Sequence, residues 1–123
     1  MSLTVLTVDD SRTMREMLRL ALCDAGYRVV QAEDGLHGLE VLAAESDAPQ
    51  VIVTDINMPR MDGFGFIEEV RSDQRWRGIP ILVLTTESDA EKKSRARNAG
   101  ATGWIVKPFN PVKLVDAIRR VAA

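Results

Sequence analysis

The chain has 123 residues, 46% of them hydrophobic and 28% charged, with a formal net charge of −2. That is one domain's length with enough apolar material for a core, and it lacks the basic excess of a nucleic-acid or anionic-membrane binder. The single cysteine, Cys23, cannot close an internal disulfide, the start Met1-Ser2-Leu3-Thr4 fits no signal peptide, and no apolar run approaches the roughly 18 residues of a membrane span, so a soluble cytoplasmic protein is expected.

The first strand spans about Thr4 to Val8 and ends at Asp9-Asp10. A helix follows, its stripe made by Met14, Met17, Leu18, Ala21, Leu22 and Ala25 at the spacing of a helix packed on a sheet. Thr13-Met14-Arg15-Glu16 matches a capping box, with Ser11 a competing cap, and Gly26 is placed to end the helix in a left-handed conformation. Cys23 borders the stripe and reads as a small buried hydrophobe. Arg28 to Ala32 is the second strand. Asp34 caps a second helix that turns Leu36, Leu39, Leu42 and Ala43 inward, with His37 as a solvated helix residue, and Ala48-Pro49-Gln50 breaks it.

The next stretch organises the chain. Val51-Ile52-Val53-Thr54 is a continuous apolar and β-branched run that ends in Asp55, the pattern of a central parallel strand buried on both faces. Asp62-Gly63 opens the third helix, with Phe66, Ile67 and Val70 on one face, and Trp76 in the charged loop beyond covers its end. The fourth strand is read as Ile79 to Thr85, its Pro80 tolerated near the start. Ser88-Asp89-Ala90-Glu91 is a capping box for a fourth helix, to about Ala99, whose inward positions can only be Ala90, Ala96, Ala99 and their neighbours. It should be the least firmly anchored helix. Gly103 to Val106 is the fifth strand. Asn110-Pro111 caps the last helix, with Leu114, Val115, Ile118, Val121 and Ala122 inward. Strands alternating with helices imply an α/β fold, a five-stranded parallel sheet with helices on both faces.

Polar residues sit at the carboxyl ends of these strands, where ligands gather in open α/β sheets. Asp9 and Asp10 follow the first strand, Asp55 the third, Thr85 ends the fourth and Lys107 follows the fifth. If those strands are neighbours, the side chains converge. Three carboxylates in one place repel, and one of them should hold a proton more tightly than usual. An all-oxygen set with no His or Cys favours a hard dication such as Mg²⁺. Such an ion relieves the repulsion and screens an anionic nucleophile from an anionic phosphoryl donor, while Lys107 adds positive charge and Thr85 a hydroxyl donor.

Val8-Asp9-Asp10-Ser11, Asp55-Ile56-Asn57-Met58-Pro59-Arg60-Met61-Asp62-Gly63, Leu84-Thr85-Thr86 and Lys107-Pro108-Phe109 together resemble the bacterial two-component response-regulator receiver domain, of the stand-alone chemotaxis CheY-like kind. The resemblance runs through residues 1–123 as a single domain. It implies the flavodoxin-like (βα)5 doubly wound fold with strand order 2-1-3-4-5, known for that family. It implies that Asp55 takes a phosphoryl group from phosphohistidine on a sensor kinase of the chemotaxis type. Mg²⁺ would be held by Asp10, Asp55 and the backbone carbonyl of Asn57, with Asp9 helping through water. Lys107 would pair with a phosphoryl oxygen, and the Lys107-Pro108 peptide would be cis.

Thr85 and Trp104 would then form the switch that changes partner binding, with Asn57 and Glu87 tuning dephosphorylation. The chain would be a monomeric phosphoacceptor rather than an enzyme, catalysing only its own phosphorylation and dephosphorylation. Its output would be the flagellar motor switch or, alternatively, a phosphate sink for the kinase. Trp104 departs from the usual Tyr or Phe, and Thr86 is bulkier than the usual Ala. Two other classes compete. A small aspartyl-phosphate phosphatase would need a D-x-D strand end and a cap, but Asp9 and Asp10 are adjacent. A flavin carrier would need a Ser/Thr/Gly-rich phosphate loop where this acidic pair stands.

Overall fold

The five apolar runs form strands and the amphipathic stretches between them form helices. The computed structural model describes residues 3–122; Met1, Ser2 and Ala123 of the expected domain lie outside the described residues. In chain order the elements are β1 (Thr4–Val8), α1 (Arg12–Asp24), β2 (Arg28–Ala32), α2 (Gly35–Ala44), β3 (Val51–Thr54), α3 (Gly63–Ser72), β4 (Ile81–Thr85), α4 (Ala90–Ala99), β5 (Gly103–Val106) and α5 (Pro111–Ala122). All neighbouring strands are parallel, in the order β2-β1-β3-β4-β5. This is the flavodoxin-like order.

Alternation along the strands divides the core in two. Leu6, Val8, Ile52, Ile81 and Val83 face α2, α3 and α4, where Leu42, Phe66, Ile67, Val70 and Ala96 meet them. Val5, Val51, Val53, Leu82 and Leu84 face α1 and α5, against Leu18, Leu22, Leu114 and Ile118. β3 and β4 are buried on both sides, which is why they read as unbroken apolar runs. Burying a side chain such as Phe66 or Ile52 contributes about 2 kcal/mol.

The helix ends follow short polar side chains. Ser11 caps α1, accepting from Met14 N at 3.2 Å; Thr13 already lies inside the first turn, so the box it starts is not used. Asp34 and Asp62 cap α2 and α3 through His37 N and Gly65 N, each at 2.9 Å. Asn110 caps α5, accepting from Val112 N and Lys113 N. For α4 the cap is Asp89 rather than Ser88, accepting from Glu91 N at 2.7 Å. A carboxylate there also faces the positive end of the helix dipole. Gly26, just past α1, has φ +94°.

Several packing expectations change. Met17 is 48% exposed and Leu36 36% exposed, and Ala43 is exposed too. In α2 the fully buried residues are Gly35, Gly38 and Leu42, and Leu39 packs against the core as expected. A Cβ at Gly38 would lie 2.7 Å from the Phe66 ring, so α2 and α3 meet where there is no side chain, and the apolar stripe does not mark that face. Cys23 is exposed, not buried. Ala90 is exposed as well, and Ala96 is the one buried residue of α4, consistent with weak anchoring. Arg95 adds a stacking contact, 4.0 Å above the Phe64 ring.

β4 begins at Ile81, not Ile79. The Pro80 carbonyl accepts from Ile52 N at 2.9 Å, but the proline nitrogen has no proton for the ladder. Trp76 and Ile79 instead close the end of the α3-side core. His37 is half-buried, its Nδ1 accepting from Glu33 N at 3.1 Å.

Candidate functional site

Strand register brings the predicted residues together. Val8 lies opposite Thr54, Thr54 opposite Val83, and Thr85 opposite Val106. Asp55 N donates to the Val8 carbonyl at 2.9 Å, and Lys107 N to the Thr85 carbonyl at 2.8 Å. These bonds set both residues one step beyond the ladder, at the carboxyl edge. The Lys107-Pro108 peptide is cis. Gly63 completes the wall behind Asp55: its N–H donates to the Ile56 carbonyl at 2.8 Å. A Cβ on it would stand 2.3 Å from the Asp55 carbonyl oxygen, so the start of α3 can pack directly on the Asp55 turn only with glycine there.

Asp9, Asp10 and Asp55 each present a carboxylate oxygen within 4.8 Å of the other two. Lys107 Nζ lies between two of them, 2.8 Å from Asp9 Oδ2 and 2.9 Å from Asp55 Oδ2. Asp9 Oδ1 accepts from Ser11 N at 2.9 Å, and Asp55 Oδ1 from Ile56 N at 2.7 Å. The Asp9 side chain is 2% exposed and that of Asp55 11%, while Asp10 is exposed. Of the two carboxylates held by the ammonium, Asp55 is therefore the one an incoming group can reach.

Burial, more than repulsion, pushes the Asp9 carboxyl above its ordinary range; Lys107 and Ser11 N–H oppose that rise and the Asp55 charge adds to it. For Lys107, burial favours the neutral amine, but hydrogen bonds to Asp9 and Asp55 outweigh it and hold the proton above the usual lysine range. Three carboxylates against one ammonium leave the cluster net negative. Oxygen-only donors, an exposed member in Asp10 and uncompensated negative charge fit a hard dication.

Thr85 is fully buried, its Oγ1 accepting from Glu87 N at 3.4 Å. Trp104 is half-buried, and its indole N–H donates to the Glu87 carbonyl at 3.0 Å. Asn57 is exposed, its side-chain amide donating to Glu87 Oε1 at 3.0 Å. That bond, with Lys92 Nζ 3.1 Å from the same oxygen, holds the Glu87 carboxyl below the usual range.

Three nearby residues were given no role by the sequence patterns. Arg15 Nη1 donates to the Asp9 carbonyl at 2.8 Å. Arg60 has φ +62° and grips Asp34 through Nε at 2.7 Å and Nη2 at 3.0 Å. Lys92 reaches Glu87. Each is a basic residue that reads as a solvated one; only the one-turn spacing of Arg15 from Ser11 hints at a position near the site.

A buried ammonium shared by two aspartates at the switch point of a doubly wound sheet sets this chain apart from flavin carriers of the same topology and places it with the phosphoacceptor signalling domains. The chain belongs to the response regulator receiver domain family, whose pattern matches residues 5–119, and is CheY-like within it. It is 42% identical over 118 residues to the chemotaxis protein CheY1 of Helicobacter pylori, covering 95% of this chain and 94% of that one. The crystal structure of the chemotaxis protein CheY4 of Vibrio cholerae superposes with a TM-score of 0.92 at 45% identity, covering 98% of this chain and 99% of that one. The receiver domain of the sensor histidine kinase PA1611 of Pseudomonas aeruginosa, described with a magnesium ion coordinated in its active-site cleft, has the same fold, with a TM-score of 0.90 at 24% identity, covering 99% of this chain and 98% of that one.

Proposed function

We propose that the chain is a response regulator in which Asp55 accepts a phosphoryl group, in a Mg²⁺-dependent reaction, from phosphohistidine on a chemotaxis-type kinase. The observation that carries this reading is the Lys107 ammonium, held 2.9 Å from Asp55 and 2.8 Å from Asp9 beside the exposed Asp10. A carboxylate oxygen of Asp55 attacks phosphorus as the P–N bond to the imidazole breaks. The electron pair leaves with the imidazole nitrogen, and the product on Asp55 is an acyl phosphate. Lys107 exchanges its contact with Asp55 for one with a phosphoryl oxygen, and Thr85 turns its hydroxyl proton toward another. Asp10, Asp55 and the Asn57 carbonyl would hold Mg²⁺, with Asp9 acting through water; the ion would supply positive charge for the phosphoryl oxygens.

Thr85 and Trp104 carry the signal outward, toward α4, β5 and α5. They meet at Glu87, whose N–H reaches the Thr85 hydroxyl and whose carbonyl holds the Trp104 indole. Movement of Thr85 therefore pulls on the loop that fixes Trp104. This is a local charge event biasing a two-state surface, and the partner bound through that surface is a chemotaxis protein such as the flagellar motor switch. The test is intact-mass spectrometry with acetyl phosphate. A single labile phosphoryl group is expected on the wild type with Mg²⁺, and none after chelation or in Asp55→Asn. Equal labelling of that variant would remove the proposal.

A further inference from the structure

Glu87 links four parts of the molecule. Its carboxylate takes the Asn57 amide at 3.0 Å and the Lys92 ammonium at 3.1 Å. Its N–H reaches Thr85 Oγ1 at 3.4 Å, and its carbonyl holds the Trp104 indole at 3.0 Å. The loop after β3, the loop after β4, the first turn of α4 and the β5 aromatic are thereby joined through one residue. Lys92 stands out among these partners. It is the third residue of α4, where the positive end of the helix dipole disfavours a cation. Its ammonium nevertheless lies against the carboxylate that also takes the Asn57 amide from the loop after Asp55.

We propose that Lys92 is a positioning residue for the phosphoryl-transfer site. It fixes the Glu87 carboxylate against Asn57 and neutralises it, so that the opening between the β3 and β4 loops admits an anionic phosphodonor. This rests on the reading of Asp55 as phosphoacceptor. Without Lys92, Glu87 is an unpaired anion free to swing across the approach to Asp55, and Asn57 loses its anchored partner. The pair is partly exposed, 40% at the Lys92 side chain and 28% at Glu87, and such surface pairs add little to stability, so its loss acts on rate and leaves the fold intact.

The experiment measures the rate of phosphorylation by acetyl phosphate with Mg²⁺ for wild type, Lys92→Gln, Lys92→Arg, Glu87→Gln and the double variant Glu87→Gln/Lys92→Gln, at low and high salt. Lys92→Gln is expected to be slower than wild type by about two- to fivefold at low salt, the factor that the coupling of an exposed pair supports. The loss should shrink at high salt, and Lys92→Arg should restore the rate. On the Glu87→Gln background the Lys92 substitution should change little. An unchanged rate in Lys92→Gln, or an equal loss on both backgrounds, overturns the proposal; the latter would mean that the ammonium merely attracts the donor. Absence of labelling in wild type would instead sink the Asp55 reading itself.

Discussion

Asp10→Asn separates the charge that the acidic cluster carries from the shape that it needs. Asp10 lies within 4.8 Å of carboxylate oxygens on both Asp9 and Asp55. Two unit charges at that distance interact by about 0.9 kcal/mol at the dielectric constant of water and about 3.5 kcal/mol at an effective constant of 20. Asp10 is exposed, so the smaller figure governs. Its two repulsions are offset in part by attraction to the Lys107 ammonium, which leaves roughly one repulsion, about 1 kcal/mol. The near-isosteric amide should therefore stabilise the metal-free protein by about 1 kcal/mol, a rise of about 4 °C in Tm for a chain of this size.

Mg²⁺ should reverse the ranking. A ligand at ten times its Kd stabilises the state that binds it by about 1.4 kcal/mol, and the variant forfeits most of that gain. The assay is urea unfolding followed by circular dichroism, once with chelator and once with Mg²⁺. A variant less stable than wild type in chelator would refute the electrostatic account. A variant keeping the full Mg²⁺ increment would refute Asp10 as a ligand.

The remaining predictions concern the scaffold around the site. Hydrogen bonds from Arg60, and then from His37 N–H, hold the Asp34 carboxyl below its ordinary range. Its contribution to stability is therefore present above the unfolded aspartate value of about 3.9 and lost as pH falls through the lower folded value. Asp34→Ala should cost about 1 kcal/mol at pH 7 through the lost cap alone, and the gap from wild type in urea melts should narrow toward pH 2. Arg71 Nε donates to the Gly100 carbonyl and its Nη1 to those of Arg77 and Ile79. Arg71→Met should cost about 2–4 kcal/mol, with the α3–β4 loop and the α4 end losing amide-exchange protection first; a loss below about 0.5 kcal/mol contradicts that role. Trp104→Phe removes the donor to the Glu87 carbonyl, should cost under about 1 kcal/mol, and should abolish any emission change on phosphorylation. A change that survives would have to come from Trp76.

The site was legible in the sequence because each of its members ends a strand. Val51 to Thr54 can only be a central strand, so Asp55 is carried to the edge, and the same logic places Asp9 and Lys107. Side-chain partners across loops were not legible. Arg60 and Asp34 are 26 positions apart, and nothing in local spacing joins them. Helix faces were read well where large residues do the packing, as in α3 and α5. In α2 they held for Leu39 and Leu42 but not for Leu36 and Ala43, because close approach to Phe66 selects Gly38 on that face and leaves Leu36 at the surface. Ser88 and Asp89 are both competent caps, and a difference of one residue decides which of them the backbone brings into reach.

With only two small methyls, those of Ala96 and Ala99, as its keel, α4 can drift without tearing the core, while α1 and α5 are moored by leucines and isoleucines. Apart from Arg95, stacked on Phe64, and Lys92, paired with Glu87, its outer residues carry little structural duty. Beyond Lys92, a lineage can redraw that helix to suit a new listener, charge by charge, with little disturbance of the cluster at the sheet edge.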